Sequence, residues 1–65
     1  MTTQPTKTIT VQLPFEEGWA LAELCKRIGF NGCLDHAIDK NEAYTMLDAI
    51  AKLQKALANE GINPR

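Results

Sequence analysis

The sequence lacks the features that would place it at once in a large class of proteins. Its 65 residues include only two cysteines, Cys25 and Cys33, too few for the disulfide framework of a small secreted domain. No apolar run approaches the roughly 18 residues of a membrane span, and residues 1–7 lack the apolar segment of a signal peptide. These absences predict a soluble, cytoplasmic protein that does not interact with membranes.

An excess of positive charge is also missing. Lys and Arg number 7, Asp and Glu number 8, and the formal net charge is -1. A strong, sequence-independent hold on nucleic acid or on an anionic membrane requires a basic surface. The composition therefore disfavours both, although a locally basic face remains open. At 65 residues the chain forms one small domain, and such domains often recruit a second subunit.

Only one segment has the alternation of a β-strand. We predict a flexible N-terminus over residues 1–7 and a strand over residues 8–13, which Pro14 ends. A single strand leaves its backbone groups unpaired, so it requires a second copy of itself, another protein's sheet edge, or solvent. The alternation is carried by apolar Ile9, Val11 and Leu13 and by polar Thr8, Thr10 and Gln12.

The remainder of the chain has helical periodicity. We predict a helix over residues 15–28, a short helix over residues 31–37, and a long helix over residues 40–60 that packs antiparallel on the first. The fold class is thus mainly α, with a short N-terminal strand, two main antiparallel helices, and a helical turn between them. Residues 8–65 form the single domain.

Helix-end signals support these divisions. Gly29 is a candidate left-handed stop for the first helix, with Phe30 folding back on Cys25. Asp39 and Glu42 have the spacing of a capping box. Gly61 predicts the end of the long helix, after which the chain folds back on its last turn.

The predicted core collects the apolar residues of these segments. It comprises Val11, Leu21, Leu24, Cys25, Ile28, Leu34, Met46, Leu47, Ile50, Leu53 and Leu57.

No motif points to catalysis. Cys25, Cys33 and His36 are three of the four ligands that a zinc site needs, but they lack the tight spacing of such sites. Cys33 and His36 could share a helical face as a nucleophile pair, yet nothing supplies an oxyanion hole. We therefore expect no catalytic residues, no metal, no cofactor, and no enzymatic activity.

Four residues are the candidates for contact with a partner protein. Trp19 is the only tryptophan, and Trp and Tyr are enriched at binding hot spots. A plain structural role, in which Trp19 covers the edge of a small core, is the alternative, and it applies to Tyr44 as well. The predicted partner-binding residues are Phe15, Trp19, Lys26 and Tyr44.

The first half of the chain resembles ribbon-helix-helix proteins. The resemblance lies in the strand with its Leu13-Pro14 end, the acidic start Glu16-Glu17, and the turn Gly29-Phe30-Asn31-Gly32. It implies a homodimer paired through the N-terminal strand, which would enter the DNA major groove. Backbone amides at a helix N-terminus would then hold a phosphate. The residues that the resemblance implies for DNA contact are Thr8, Thr10, Gln12, Asn31 and Gly32.

A second resemblance covers nearly the whole chain. It is to a group of small uncharacterised proteins of bacteria and their mobile elements, and it implies no known activity. It lies in Gly18-Trp19-Ala20-Leu21-Ala22, Lys26-Arg27-Ile28-Gly29-Phe30, His36-Ala37-Ile38-Asp39, Glu42-Ala43-Tyr44-Thr45-Met46 and Gly61-Ile62-Asn63-Pro64-Arg65.

Two functional hypotheses follow. The first is a non-enzymatic protein-binding module, an inhibitor of phage or plasmid type that occludes the surface of a host or cognate protein, as in anti-defence. The alternative is a dimeric ribbon-helix-helix regulator or antitoxin, and only this alternative involves DNA.

Overall fold

The chain folds as a hairpin of two helices. The computed structural model describes residues 4–64, with α1 at Phe15–His36 and α2 at Lys40–Asn59. A Cβ built on Gly18, near the start of α1, would lie 2.7 Å from Cδ1 of Ile62, just past the end of α2. The helices therefore run antiparallel, and the prediction of a mainly helical fold is confirmed. Parts of the predicted N-terminus and C-terminus, residues 1–3 and 65, lie outside the described residues.

The predicted N-terminal strand is wrong. Among residues 4–64 the structure has no strand, and residues 4–13 form an exposed segment, here called the N-terminal arm, that leads into α1. Alternation of Ile9, Val11 and Leu13 matches the period of a strand, but a strand exists only when its backbone groups pair with a neighbour. A single chain offers the arm no second strand, so the alternating segment forms no interstrand hydrogen bonds.

Helix α1 consists of two helical segments that meet at Gly29, close to the predicted division between a helix over residues 15–28 and a short helix over residues 31–37. Pro14 precedes its first turn, where Glu16 and Glu17 favour the helix dipole. Gly29 has φ 58° and ψ -177°, outside helical geometry, yet the helix resumes at once and continues to His36. The predicted interruption at Gly29 is therefore present as a kink, after which a second helical segment runs to His36.

Helix α2 begins and ends at local signals that the sequence predicts. The Glu42 N–H donates to Asp39 Oδ1 at 2.8 Å, and Glu42 Oε1 accepts from the Ile38 N–H at 2.9 Å. In a standard capping box the Glu42 side chain would accept from the N–H of the cap residue, Asp39. Here it accepts from the N–H of Ile38, the residue before the cap. At the other end Gly61 has φ 85°, and the Ile62 N–H donates to the Leu57 carbonyl at 2.9 Å. The predicted glycine stop at Gly61 is confirmed as a Schellman motif.

The seam between the helices is made largely of small residues. The buried apolar side chains are Ala22, Cys25, Cys33, Ala43 and Leu57, and Gly18 is buried with them. Small residues let helix backbones approach closely and displace larger side chains to the edges of the contact.

The predicted core is therefore only partly formed. Cys25 and Leu57 are buried, whereas Leu21, Ile28, Leu34, Met46, Leu47 and Ile50 are half-buried. The assignment of Val11, Leu24 and Leu53 to the core is wrong, because all three are exposed.

The overall shape is a thin slab with two broad faces. Its principal extents are 34 × 27 × 16 Å. A helix with its side chains is about 10–12 Å across, so the slab is one layer of helices thick. Neither α1 nor α2 is long and apolar enough to cross a membrane.

Candidate protein-binding surfaces

Two clefts mark the two faces of the hairpin. Leu21 of α1 and Leu53 of α2 line an open groove of about 820 Å³, which the N-terminal arm borders. Ala22 and Lys26 of α1 line a separate small pocket with Gln54 of α2 and the C-terminal tail. Neighbouring residues in a helix point about 100° apart, so Leu21 and Ala22 belong to opposite sides of the seam. The hairpin thus has two surfaces, which meet near the arm and the C-terminal tail, since Phe15 lines the groove and Ile62 lines both clefts.

The first surface, called the aromatic face, consists of Phe15, Trp19 and Lys26. These residues follow at spacings of four and seven, which places them on one side of α1. The rings of Phe15 and Trp19 have centroids 5.8 Å apart at an interplanar angle of 30°. Phe15 is 69% exposed and Trp19 is 40% exposed, and Lys26 is exposed beside them. Two contacting aromatic rings and a cation are therefore open to solvent.

Tyr44 lies apart from this cluster. It sits in the first turns of α2, and its ring is 4.8 Å from the ring of Phe30, between centroids. Phe30 follows the kink, some ten residues along α1 from Trp19, which corresponds to roughly 15 Å of helix. The structure thus divides the four predicted partner-binding residues between the two ends of the hairpin. The ring of Phe30 contacts that of Tyr44 at an interplanar angle of 39°.

The second surface, called the leucine face, consists of Leu21, Leu24, Ile28, Met46 and Leu53. Leu24 is 55% exposed and Leu53 is 38% exposed, while the other three are half-buried. The arm residues Ile9, Val11 and Leu13 border the same side through the groove and are themselves exposed. This surface is aliphatic and extends along both helices.

The residues implied for DNA contact do not form a ribbon. Thr8, Thr10 and Gln12 are exposed in the N-terminal arm, which has no paired strand within residues 4–64. Asn31 is exposed and Gly32 is half-buried, and both lie inside α1 after the kink. Both residues lie in the first turn after that kink.

The cysteines and the histidine do not form a reactive cluster. Cys25 and Cys33 are both free and buried. Burial raises the pKa of the Cys25 thiol, an effect that a backbone hydrogen bond partly opposes. His36 is exposed, and its Nδ1 lies 3.0 Å from the Gly32 carbonyl, in the preceding turn. Within residues 4–64 no three His, Cys, Asp or Glu side chains are grouped to hold a metal.

The leucine face was not recognised from the sequence because its leucines were assigned to the core. A signal for it was present in the first helix. Gly18, Ala22 and Cys25 follow the i, i+4, i+7 pattern of a helix contact face, and all three are small. A seam of small residues at that spacing predicts a close helix contact and leaves larger side chains such as Leu21 and Leu24 at its edge.

These features define a class of protein: a small single-layer helical hairpin with apolar side chains exposed on both faces. The chain belongs to the family of unknown function DUF7706, whose model matches residues 1–65. The prediction that it belongs to a family without an assigned activity is thereby confirmed. No curated protein and no solved structure matched the chain.

Proposed function

We propose that this chain is a non-enzymatic protein-binding module that uses the aromatic face to occlude a surface of another protein. Phe15 and Trp19 would enter an apolar pocket of that protein, and Lys26 would lie against a carboxylate at the pocket rim. Tyr44, at the far end of the hairpin, would make a second and weaker contact.

The observation that carries this proposal is the exposed ring pair of Phe15 and Trp19. Aromatic side chains bury large apolar areas, and a contacting pair adds about 0.5–1.5 kcal/mol beyond that burial. In this hairpin the pair is left open to water at one end of α1. Exposed aromatic residues in contact with one another are typical of the cores of protein interfaces, where Trp and Phe are enriched.

The partner we propose is a host protein, and the action is inhibition by steric occlusion. A chain of this size has little room for a catalytic pocket, but its 34 Å length is enough to cover a standard protein interface. A role in a phage or plasmid, directed against a host system such as a defence complex, belongs to this same proposal.

No observation on residues 4–64 favours the DNA-binding alternative. It requires paired N-terminal strands, and the corresponding residues form the unpaired arm.

The test begins with parallel affinity captures from a bacterial host lysate, using tagged wild-type chain and tagged Trp19→Ala. A protein retained by the wild type is then purified, and its dissociation constant is measured by calorimetry. Trp19→Ala is expected to weaken binding at least about 30-fold, which corresponds to the roughly 2 kcal/mol of a hot spot. Lys26→Gln is expected to weaken binding several-fold and to reduce its salt dependence.

The matched control is Ile38→Ala. Ile38 is a large apolar residue, 86% exposed, in the loop that connects α1 to α2, away from the aromatic face. This substitution should leave the dissociation constant unchanged. If Trp19→Ala and Tyr44→Ala both bind the captured protein as tightly as Ile38→Ala, the assignment of the aromatic face is wrong.

A further inference from the structure

We propose that the leucine face is covered by the leucine face of a second copy of this chain, giving a symmetric dimer of two stacked hairpins. This interface uses helical side chains, and the N-terminal arm borders it. It meets the aromatic face at Phe15, which lines the same groove, while Trp19 and Lys26 do not line that groove. It does not depend on the function proposed above.

The first argument is the thickness of the molecule. Domains are stable when at least two layers of secondary structure enclose a core between them. The hairpin is a single layer of two helices, and the shortest extent of the molecule is 16 Å. One hairpin alone thus has a seam but lacks a second layer.

The second argument is the accessible surface. The chain exposes 5808 Å² at a mass of 7.2 kDa. A folded monomer of that mass is expected to expose about 4,100 Å², and the unfolded chain about 10,400 Å². The whole chain therefore buries about 44% of its unfolded surface, where domains of this size bury about 60%. The surplus is about 1,700 Å² per chain, and the exposed N-terminal arm and the exposed helix side chains share it.

That surplus has the size of an obligate interface. Stable dimers of standard size bury about 800 Å² per subunit, and obligate homodimers bury about 1,000–2,500 Å². Covering the leucine face together with the arm residues that border it would bring each chain towards the burial expected for its mass.

The location is fixed by the exposed residues. Leu24 and Leu53 are the aliphatic helix residues that the sequence assigns to a core and that the hairpin leaves exposed, and both lie on the leucine face. The groove on this side is lined by apolar residues from both helices and the arm, and among residues 4–64 its one charged lining residue is Glu60, just after the end of α2. An aliphatic surface along both helices with few charges resembles half of a four-helix core.

A second copy is the occupant that fits these properties. The face combines α1 and α2, so a two-fold axis through its middle pairs each aliphatic row with its equivalent in the other copy. The net charge of -1 per chain gives two copies little mutual repulsion. The second copy is also always present at the concentration of the first, as a permanent core requires.

The experiment measures solution mass by sedimentation equilibrium over about 1–200 µM, for wild type, Leu24→Glu and Ile38→Glu. Both variants replace an aliphatic side chain that is more than half exposed with the same acid. The wild type is expected at twice 7.2 kDa. Leu24→Glu should raise the dimer dissociation constant at least about tenfold, while Ile38→Glu should leave it unchanged.

Two results would overturn the proposal. A wild type that remains at 7.2 kDa throughout would show that no second copy covers the face. A dimer that Leu24→Glu and Ile38→Glu weaken equally would show that the copies meet elsewhere.

If Leu24→Glu fails to fold, the wild-type melting temperature decides the question. A two-state dimer melts higher as protein concentration rises, and a monomer does not. Trp19→Ala separates this proposal from the previous one, because it should abolish partner capture without changing the solution mass.

Discussion

The two faces of the hairpin expose apolar side chains in different patterns. On the aromatic face, Phe15 and Trp19 form one compact cluster at an end of α1, with Lys26 beside it. On the leucine face, side chains such as Leu24 and Leu53 are spread over both helices. Homodimer interfaces are more apolar than reversible ones, and aromatic residues are enriched at binding hot spots. This difference is the basis on which we propose self-association for one face and partner binding for the other.

The same seam creates both faces. Because Ala22, Cys25 and Ala43 occupy the contact between the helices, the backbones lie close together and the larger side chains are displaced to either side. Any change that widens the seam should therefore alter both faces at once, whereas a change on one face should leave the other intact.

The largest expected effect comes from widening the seam with Ala43→Leu. Ala43 is 0% exposed, so a leucine there must separate the helices or adopt a strained rotamer. Overpacking of this kind lowers the free energy of unfolding by about 1–3 kcal/mol. Urea denaturation followed by circular dichroism, at one fixed protein concentration, measures the loss.

The control for that variant is Ala51→Leu, at an exposed position of α2. It adds the same side chain without changing the seam, and its free energy of unfolding should stay within about 0.5 kcal/mol of wild type. Equal stability of the two variants would mean that the helices are not closely packed at Ala43.

How far the sequence predicts this hairpin depends on whether each signal is local. The Asp39–Glu42 cap and the Gly61 stop are predicted because each is completed within one turn of chain. The predicted strand over residues 8–13 is wrong. Its alternation can be recognised within the segment, but a strand also needs hydrogen bonds to a second strand, which the segment cannot supply. Gly29 has the residue type of a stop, yet whether a helix resumes after it depends on the packing of the next turn.

The candidate surfaces were predicted only in part, for a related reason. Periodicity identifies which residues are apolar on a helix, but it does not say how many layers will cover them. Trp19 and Phe15 were identified by residue type. Leu24 was placed in a core because the sequence pattern is the same whether the covering layer belongs to this chain or to another.

A smaller effect is expected from Gly29→Ala, which tests the kink at the end of the hairpin that holds the Phe30–Tyr44 pair. A Cβ at this position would meet no atom within 4 Å, so any loss comes from the backbone rather than from a clash. With φ at 58°, an alanine should cost about 1–2 kcal/mol of the free energy of unfolding. Thermal and urea denaturation measure this loss.

Asn31→Ala, two residues further along α1, is the matched control for the kink. The site is helical and exposed, so the substitution should be neutral or slightly stabilising. The dimer dissociation constant should be unchanged in both variants, since neither position lies on the leucine face. A Gly29→Ala chain as stable as Asn31→Ala would contradict the left-handed kink.

The smallest expected effect is a decline of stability at alkaline pH through Cys25, which lies in the seam shared by both faces. Burial raises the pKa of its thiol, so the folded chain keeps this proton at a pH where the unfolded chain loses it. The contribution of this thiol to the free energy of unfolding is complete below the ordinary thiol pKa of about 8.5. It is lost as pH rises through the higher pKa of the folded chain.

In a Cys33→Ala background Cys25 is the only thiol. In that background, the chain with Cys25 should lose stability relative to Cys25→Ala as pH rises from about 7 to about 10. The free energies of unfolding of the two chains measure this change. A difference that stays constant over that range would mean that the seam at Cys25 opens to water in the folded hairpin, and that the two faces are not separated by a closed contact.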